Sequence, residues 1–199
     1  MTAFEKLNQK HLILGSASPR RQTILKMQGL VFDICVSRAE EKSNETQPEK
    51  IVLDIATQKA NNVRKQLESE KQWNENSVLV CADTVVVYEE KIFGKPRDRL
   101  DAKRMLQKFS GNPHEVMTAV AVVYQDRTLT ACEKTKVLFA QLSDEEIEAY
   151  LNKNDYADKA GAYAIQGFAA PFVKRIEGDY YNVVGFPVRR FYEMINEMI

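Results

Sequence analysis

The stretch His11-Leu-Ile-Leu-Gly-Ser-Ala-Ser-Pro-Arg-Arg21 decides the fold class, because a short apolar run in it leads directly into a helix start. Residues 11–15 are mostly apolar and predict a short buried strand. Ser18 suits the N-cap of a helix, and Pro19 suits its first position. Gly29 is a natural stop for that helix. A strand that passes at once into a helix is typical of an α/β protein.

The remainder of the chain continues this alternation and then adds a hairpin. Further helices are predicted over Pro48 to about Glu70, Asp98–Phe109 and Pro187 to about Met198, with a short one starting at Ser143. Further strands are predicted over Val31–Val36, Ser77–Ala82, Thr84–Tyr88, His114–Tyr124 and Thr128–Leu138. The last two strands join at a short polar turn, which predicts an antiparallel hairpin. We therefore expect a mixed, partly antiparallel twisted sheet with flanking helices, in one domain over residues 1–199. Residues 1–10 are expected to be a short extension.

Composition excludes several classes of partner. The 199 residues carry 28 Lys plus Arg and 28 Asp plus Glu, so the formal net charge is zero. Proteins that bind bulk nucleic acid or anionic lipid usually carry a basic excess, so neither partner is expected. The three cysteines are widely spaced without a CxxC pair, and no apolar run approaches the ~18 residues of a membrane span. A cytoplasmic location without a signal peptide is expected.

The junction between the first strand and its helix is a candidate anion site. It carries two hydroxyls, Ser16 and Ser18, and two guanidinium groups, Arg20 and Arg21. The N-terminus of a helix offers free N–H groups and a positive dipole end, and arginine donates two parallel hydrogen bonds to phosphate oxygens. The alternative is a capped helix whose arginines are solvated.

Asp83 is a candidate catalytic acid. It follows the apolar run Val78–Ala82 and precedes a second apolar run, Val85–Val87, so it is expected at a strand end. A carboxylate in such a setting costs free energy unless it meets a cation, a metal or hydrogen-bond donors. It could bind Mg²⁺ or accept a proton from water. The alternative is a turn aspartate at a strand break.

Three further charged residues are candidates for the same chemistry. Lys59, on the apolar stripe of the long predicted helix, and Lys95, in the Gly94–Pro96 turn, could contact phosphate. The alternative for Lys59 is that its stem reaches along the surface to solvent. Glu41 could be a second metal-binding carboxylate or an ordinary loop residue. His114 has no Cys or second His nearby, and we expect it to be a hydrogen-bonded structural residue.

Together these segments resemble the Maf family of nucleoside triphosphate pyrophosphatases. The matching motifs are Ser16-Ala-Ser-Pro-Arg-Arg21, Lys59-Ala60, Ala82-Asp-Thr-Val-Val86, Gly94-Lys-Pro-Arg-Asp98, Ser110-Gly111, His114-Glu-Val-Met-Thr118, Asp158-Lys-Ala-Gly-Ala-Tyr-Ala-Ile-Gln-Gly167 and Ile176-Glu-Gly-Asp-Tyr-Tyr-Asn-Val-Val-Gly185. The resemblance implies two lobes around a central cleft, often in a homodimer. It also implies hydrolysis of a nucleoside triphosphate to the monophosphate and pyrophosphate with a divalent metal, Mg²⁺ or Mn²⁺, as a means of cleaning the nucleotide pool.

The resemblance also implies roles for individual residues. The family's acidic catalytic residue falls on Asp83, with Lys59, Lys95 and Glu41 in support, and the metal ligands fall on Asp83 and Glu41. The implied substrate-binding residues are Ser16, Ser18, Arg20, Arg21, Thr84 and Gln166.

Substrate preference is the finest implication of the resemblance. At Arg20, Thr84 and Gln166 the chain is similar to a subfamily that prefers dTTP and UTP. A uracil or thymine edge offers an N3–H donor and an O4 acceptor, which one glutamine amide can pair with at once. Alternatives are a Maf enzyme that prefers 7-methyl-GTP or another purine, and a non-catalytic, nucleotide-binding regulator of cell division.

Overall fold

The computed structural model describes residues 1–199. The helices are α1 (Ala3–Leu7), α2 (Pro19–Met27), α3 (Pro48–Ser69), α4 (Arg99–Phe109), α5 (Asp144–Leu151), α6 (Tyr180–Val184) and α7 (Val188–Met198). The strands are β1 (His11–Leu14), β2 (Asp33–Ile34), β3 (Ser77–Tyr88), β4 (Lys91–Phe93), β5 (Pro113–Tyr124), β6 (Arg127–Phe139) and β7 (Val173–Glu177). None of the helices combines the length and the apolar character that a membrane span requires.

The strands form one seven-stranded mixed sheet. The strand order is β2-β1-β3-β5-β6-β7, and β4 pairs with β3 outside that path. Strand β1 runs parallel to both β2 and β3, whereas the β3–β4 and β6–β7 pairs are antiparallel. The predicted fold class, a mixed and partly antiparallel sheet with helices beside it, is confirmed.

The chain divides into two compact units, which are described separately. The first comprises residues 1–83, 118–133 and 185–199, and the second comprises residues 84–117 and 134–184. The single domain and the two lobes around a cleft stay predictions.

The core of the first unit is built on β1 and one face of α3. Leu12, Ile13 and Leu14 of β1 are buried, and α3 buries residues spaced three or four apart: Val52, Ala56, Ala60, Val63 and Leu67. This spacing places one apolar stripe along a helix, so the prediction for the long helix is confirmed.

Residues 1–10, predicted only as an extension, contain a helix that packs in the first unit. Thr2 and Glu5 form a capping box at the start of α1. The Phe4 ring lies 5.8 Å from that of Phe191 and 5.1 Å from that of Tyr192, both in α7. The packing partner of α1 is more than 180 residues away in the sequence, so no local pattern could identify it.

Strand β2 is shorter than predicted. The apolar run Val31–Val36 suggested six residues, but only Asp33 and Ile34 pair, opposite Ile13 and Leu14. β2 pairs only with β1, which has four residues. β2 is thus an edge strand of the sheet, and Val31 remains 80% exposed.

The second unit has an aromatic core around His114, which is 3% exposed. Its ring stacks on Phe109 at 4.4 Å between centroids and meets Phe139 edge-on at 4.9 Å. Its Nε2 lies 2.7 Å from the hydroxyl oxygen of Tyr163. Burial lowers the pKa of His114 to about 3. The prediction of a hydrogen-bonded structural histidine is confirmed.

His114 should make the protein less stable in mild acid. The folded-state pKa, about 3, lies below the unfolded value of about 6.5, so the unfolded chain binds this proton first as the pH falls. The free energy of unfolding should therefore lose about 1.4 kcal/mol per pH unit below pH ~6.5 through this residue. Urea unfolding of the wild type and His114→Phe between pH 7 and 4.5 measures the difference in slope.

The variant should be less stable at pH 7, because Tyr163 loses its partner, but its stability should depend less on pH. His11→Gln is the matched control, since His11 is the only other histidine and is partly exposed. Equal slopes for the wild type and His114→Phe would contradict this account.

Candidate functional site

Asp83 lies in the middle of a continuous strand. Strand β1 pairs with the Ser77–Val80 part of β3, and β4 pairs with its Val86–Tyr88 part, so Asp83 lies between the two. The expected strand end and the alternative of a turn at a strand break are both wrong. Valines on either side favour extended backbone strongly enough that a single aspartate does not interrupt it.

Lys59 of α3 forms an ion pair with Asp83. The Lys59 Nζ donates to Oδ1 of Asp83 at 2.6 Å, and the two side chains are 24% and 21% exposed. From its position on the buried stripe of α3, Lys59 reaches the sheet, and the alternative that its stem reaches along the surface to solvent is wrong. The other carboxylate oxygen, Oδ2, accepts no hydrogen bond from the protein, so it is available to a proton or a ligand.

Arg21 links three segments of the first unit. Its Nη1 donates to Ser16 Oγ at 3.0 Å and to the carbonyl oxygen of Ala82 at 2.8 Å, and its Nε donates to the carbonyl oxygen of Gly185 at 2.9 Å. Burial lowers the pKa of the Arg21 guanidinium, whereas the nearby charge of Asp83 raises it. Arg21 therefore fixes the residue before Asp83, a role that the sequence did not suggest.

The start of α2 carries the other hydroxyls and the second arginine. Pro19 occupies the first helical position and Ser18 the N-cap, as predicted, but the Ser18 hydroxyl makes no capping hydrogen bond. Instead, Ser16 Oγ accepts from the backbone N–H of Ser18 at 3.3 Å. Arg20 lies in the first helical turn and is partly exposed. Ser16 therefore connects Arg21 to the start of the helix.

Gly15 and Cys81 share one space in the sheet. A Cβ on Gly15 would lie 2.1 Å from the Cys81 Sγ, which no side chain allows. Cys81 and Asp83 point to the same face of β3, since alternate residues of a strand do so. Burial raises the pKa of the Cys81 thiol to about 12, so Cys81 is not a nucleophile at neutral pH.

Glu41 lies in a loop that is held against α3. Its Oε1 accepts from the Ser37 hydroxyl at 2.7 Å. The Gln58 side chain accepts from the backbone N–H of Lys42 at 3.3 Å and donates to the Lys42 carbonyl at 2.9 Å. Nowhere in the 199 residues do three His, Cys, Asp or Glu side chains group to hold a metal. The protein alone therefore builds no closed metal site.

The remaining candidates belong to the second unit. Thr84 follows Asp83 in β3 and is partly exposed. Lys95 is exposed and makes no ion pair, and Gln166 is exposed and its amide has no hydrogen-bond partner in the protein. The Gly161 N–H donates to the Gly94 carbonyl at 3.0 Å, so the turn that carries Lys95 is tied to the Asp158–Gly167 motif.

Comparisons with known proteins agree with the motifs. The family model of Maf-like proteins matches residues 11–198. A Bacillus cereus protein (strain ATCC 10987 / NRS 248) named dTTP/UTP pyrophosphatase is 45% identical over 184 residues, which are 92% of this chain and 87% of that protein. A Bacillus anthracis protein (strain CDC 684 / NRRL 3495) of the same name is 44% identical over 182 residues, 91% of this chain and 92% of that protein.

The structure of the Staphylococcus aureus Ham1 protein is similar in fold alone. It superposes with a TM-score of 0.52 at 10% identity, covering 96% of this chain and all of that one. This likeness supports the assignment of the mixed α/β fold and carries no information on substrate.

Arg21→Met should destabilise the protein by about 2–4 kcal/mol, because it leaves two carbonyl oxygens and a hydroxyl without their charged donor. Urea unfolding at pH 7 measures this loss. Arg189→Met is the matched control: Arg189 is 76% exposed, pairs with Glu193 one helical turn away and lies 5.8 Å from the centre of the Tyr192 ring, so its loss should cost about 0–1 kcal/mol. Similar losses for the two variants would show that Arg21 does not hold these segments.

Proposed function

This chain belongs to the Maf family, and we propose that it hydrolyses dTTP and UTP to the nucleoside monophosphate and pyrophosphate. The identity to relatives named dTTP/UTP pyrophosphatase, 44–45% over more than nine-tenths of the chain, supports the reaction and the substrates. Such an enzyme would remove unwanted pyrimidine nucleotides, canonical or modified, from the nucleotide pool. The observation that carries the chemistry is the Lys59–Asp83 pair with one open carboxylate oxygen.

Asp83 acts as the general base in this proposal. A water molecule attacks the α-phosphorus, its proton passes to Oδ2 of Asp83, and the bond from the α-phosphorus to the bridging oxygen breaks as pyrophosphate leaves. Lys59 fixes the carboxylate through Oδ1, so the open oxygen keeps one direction. Its ammonium group also offsets negative charge that develops on the phosphate oxygens.

The start of α2 binds phosphate in this proposal. Arg20 lies in the first helical turn, where free N–H groups and the helix dipole favour an anion. Ser16 and Ser18 add hydroxyl donors. Arg21 contributes charge and keeps the turn in place through its bonds to protein oxygens. Lys95, an exposed cation without an ion-pair partner, provides a further phosphate contact.

The donor set fits a Mg²⁺ or Mn²⁺ ion that arrives with the nucleotide. Mg²⁺ is usually held by one or two carboxylates together with substrate phosphates, not by a cage of protein ligands. Asp83 and Glu41 would supply the carboxylates; an Asp83 Oδ2 that holds the ion would orient the attacking water in place of accepting its proton. When bound, the ion would neutralise part of the triphosphate charge.

Gln166 and Thr84 provide base selection in this proposal. The exposed amide of Gln166 accepts a hydrogen bond from N3–H of uracil or thymine and donates one to O4. Its lack of a partner within the protein supports this role, since no internal bond has to break on binding. A homodimer in the cytoplasm, without nucleic-acid or membrane partners, completes the proposal.

A panel of nucleotides tests the function. Purified protein with Mg²⁺ or Mn²⁺ should release pyrophosphate from dTTP and UTP with the highest kcat/KM among the canonical triphosphates. Preference for 7-methyl-GTP or another purine would replace the substrate assignment. Binding of nucleotides without pyrophosphate release would favour a non-catalytic regulator and overturn the proposal.

Asp83→Asn should reduce kcat by about 10²- to 10⁴-fold, the usual contribution of a general base. The amide oxygen can still accept from Lys59, so the fold should be kept, although loss of the charge pair should lower the midpoint of thermal unfolding. Asp126→Asn is the control, because Asp126 is fully exposed in the β5–β6 turn. Turnover like that of the wild type in Asp83→Asn would remove Asp83 from the mechanism.

A further inference from the structure

Lys159 is a buried cation in the second unit that the proposed reaction does not use. It is 7% exposed, and its Nζ lies 2.8 Å from Oδ1 of Asp155 and 2.7 Å from Oδ1 of Asp158. A buried ammonium group costs free energy unless it is paired. Removing a carboxylate partner would therefore leave the Lys159 charge buried without full compensation. The position of Lys159 is therefore firmly coupled to these two carboxylates.

The carboxylate of Asp155 connects this ion pair to the turn that carries Gln166. Its second oxygen, Oδ2, lies 3.3 Å from the position that a Cβ on Gly167 would take, so it occupies the side of Gly167 where a side chain would stand. Gly167 has φ +100°, a conformation that glycine adopts without strain. Any side chain at this position would be strained and would press on the carboxylate. The ion pair thus reaches the residue next to Gln166.

The rest of the segment is anchored at both ends. The hydroxyl of Tyr150, in α5, lies 3.1 Å from the carbonyl oxygen of Asp155 and 3.0 Å from that of Ala162, so its one proton is shared between these two acceptors. The Gly167 carbonyl accepts from the Ala170 N–H at 3.1 Å, which closes the turn on its far side. The segment is therefore bonded to the protein before and after Gln166, while the Gln166 side chain is exposed and makes no hydrogen bond within the protein.

We propose that the Asp155–Lys159 ion pair contributes to substrate specificity, because it positions Gln166 so that its amide meets the edge of a uracil or thymine base. This proposal rests on the proposed function. A glutamine on a mobile turn would have to give up backbone and side-chain freedom on binding, which weakens its hydrogen bonds. When the turn is already fixed before binding, the Gln166 amide can discriminate fully between a uracil or thymine base and other bases. Asp155 and Lys159 are positioning residues and do not touch the nucleotide.

The test compares two triphosphates that differ at one donor. UTP offers N3–H, and N3-methyl-UTP does not, so the ratio of their kcat/KM values reports the contact to Gln166. Asp155→Asn and Lys159→Met should lower this ratio by about twofold to tenfold, the usual value of one hydrogen bond. The kcat for N3-methyl-UTP should stay unchanged. Lys159→Arg, which keeps the charge, should restore most of the ratio.

Asp158→Asn is the matched control, because it removes a carboxylate from the same Lys159 ammonium group but not the oxygen that lies beside Gly167. It should leave the ratio close to that of the wild type. If Lys159→Met does not fold, the ratio measured for Asp155→Asn, which conserves the side-chain volume, tests the proposal.

A double-mutant cycle separates positioning from general damage. If Asp155 acts through Gln166, Asp155→Asn should have no further effect on the ratio in a Gln166→Ala background. Additive effects, or an equal fall in kcat/KM for both nucleotides, would overturn the inference. A wild type that releases no pyrophosphate from UTP would instead overturn the proposed function, so the two failures are distinct.

Discussion

The bonds of the Arg21 guanidinium are the constraint on which the first unit depends. They join Ser16, Ala82 and Gly185, which lie 5, 61 and 164 residues from Arg21 in the sequence. The planar guanidinium group has several N–H donors that point in fixed directions, so it can bond to all three segments. A lysine ammonium carries its donors on one atom and could not reach all of them. Because Ala82 precedes Asp83, the same junction fixes the backbone at the proposed base. The position of Asp83 therefore depends on the hydrogen bond from Arg21 to Ala82 as well as on the ion pair that the Asp83 side chain makes with Lys59.

The sequence predicted those features that repeat along the chain. The apolar residues of α3 recur at helical spacing. Lys59 lies on the same apolar stripe, which is an unusual position for a charged residue. The ion pair with Asp83 explains its place. The hairpin of β5 and β6, the start of α5 after Ser143, and the start of α2 at Pro19 also followed from local chemistry. Each of these features depends on residues within a few positions of one another.

The features that escaped prediction depend on distant partners. A break was expected at Asp83 because aspartate is rare in strands, but Lys59 supplies the cation that makes the carboxylate tolerable inside one. Helix α1 packs against α7, at the other end of the chain. The candidate site shows the same division: its candidate residues could be named from motifs, whereas the bonds of Arg21 to Ala82 and Gly185 required coordinates.

The space shared by Gly15 and Cys81 has a consequence for how this site can change over evolutionary time. The Cys81 Sγ fills the volume that a side chain on Gly15 would need, so the two positions behave as one volume divided between neighbouring strands. A larger residue at either position requires a smaller one at the other, or the strands must separate. Since Cys81 shares a face of β3 with Asp83, such a separation would move the acid. Drift at positions 15 and 81 is therefore expected to be paired, even though neither residue takes part in the chemistry.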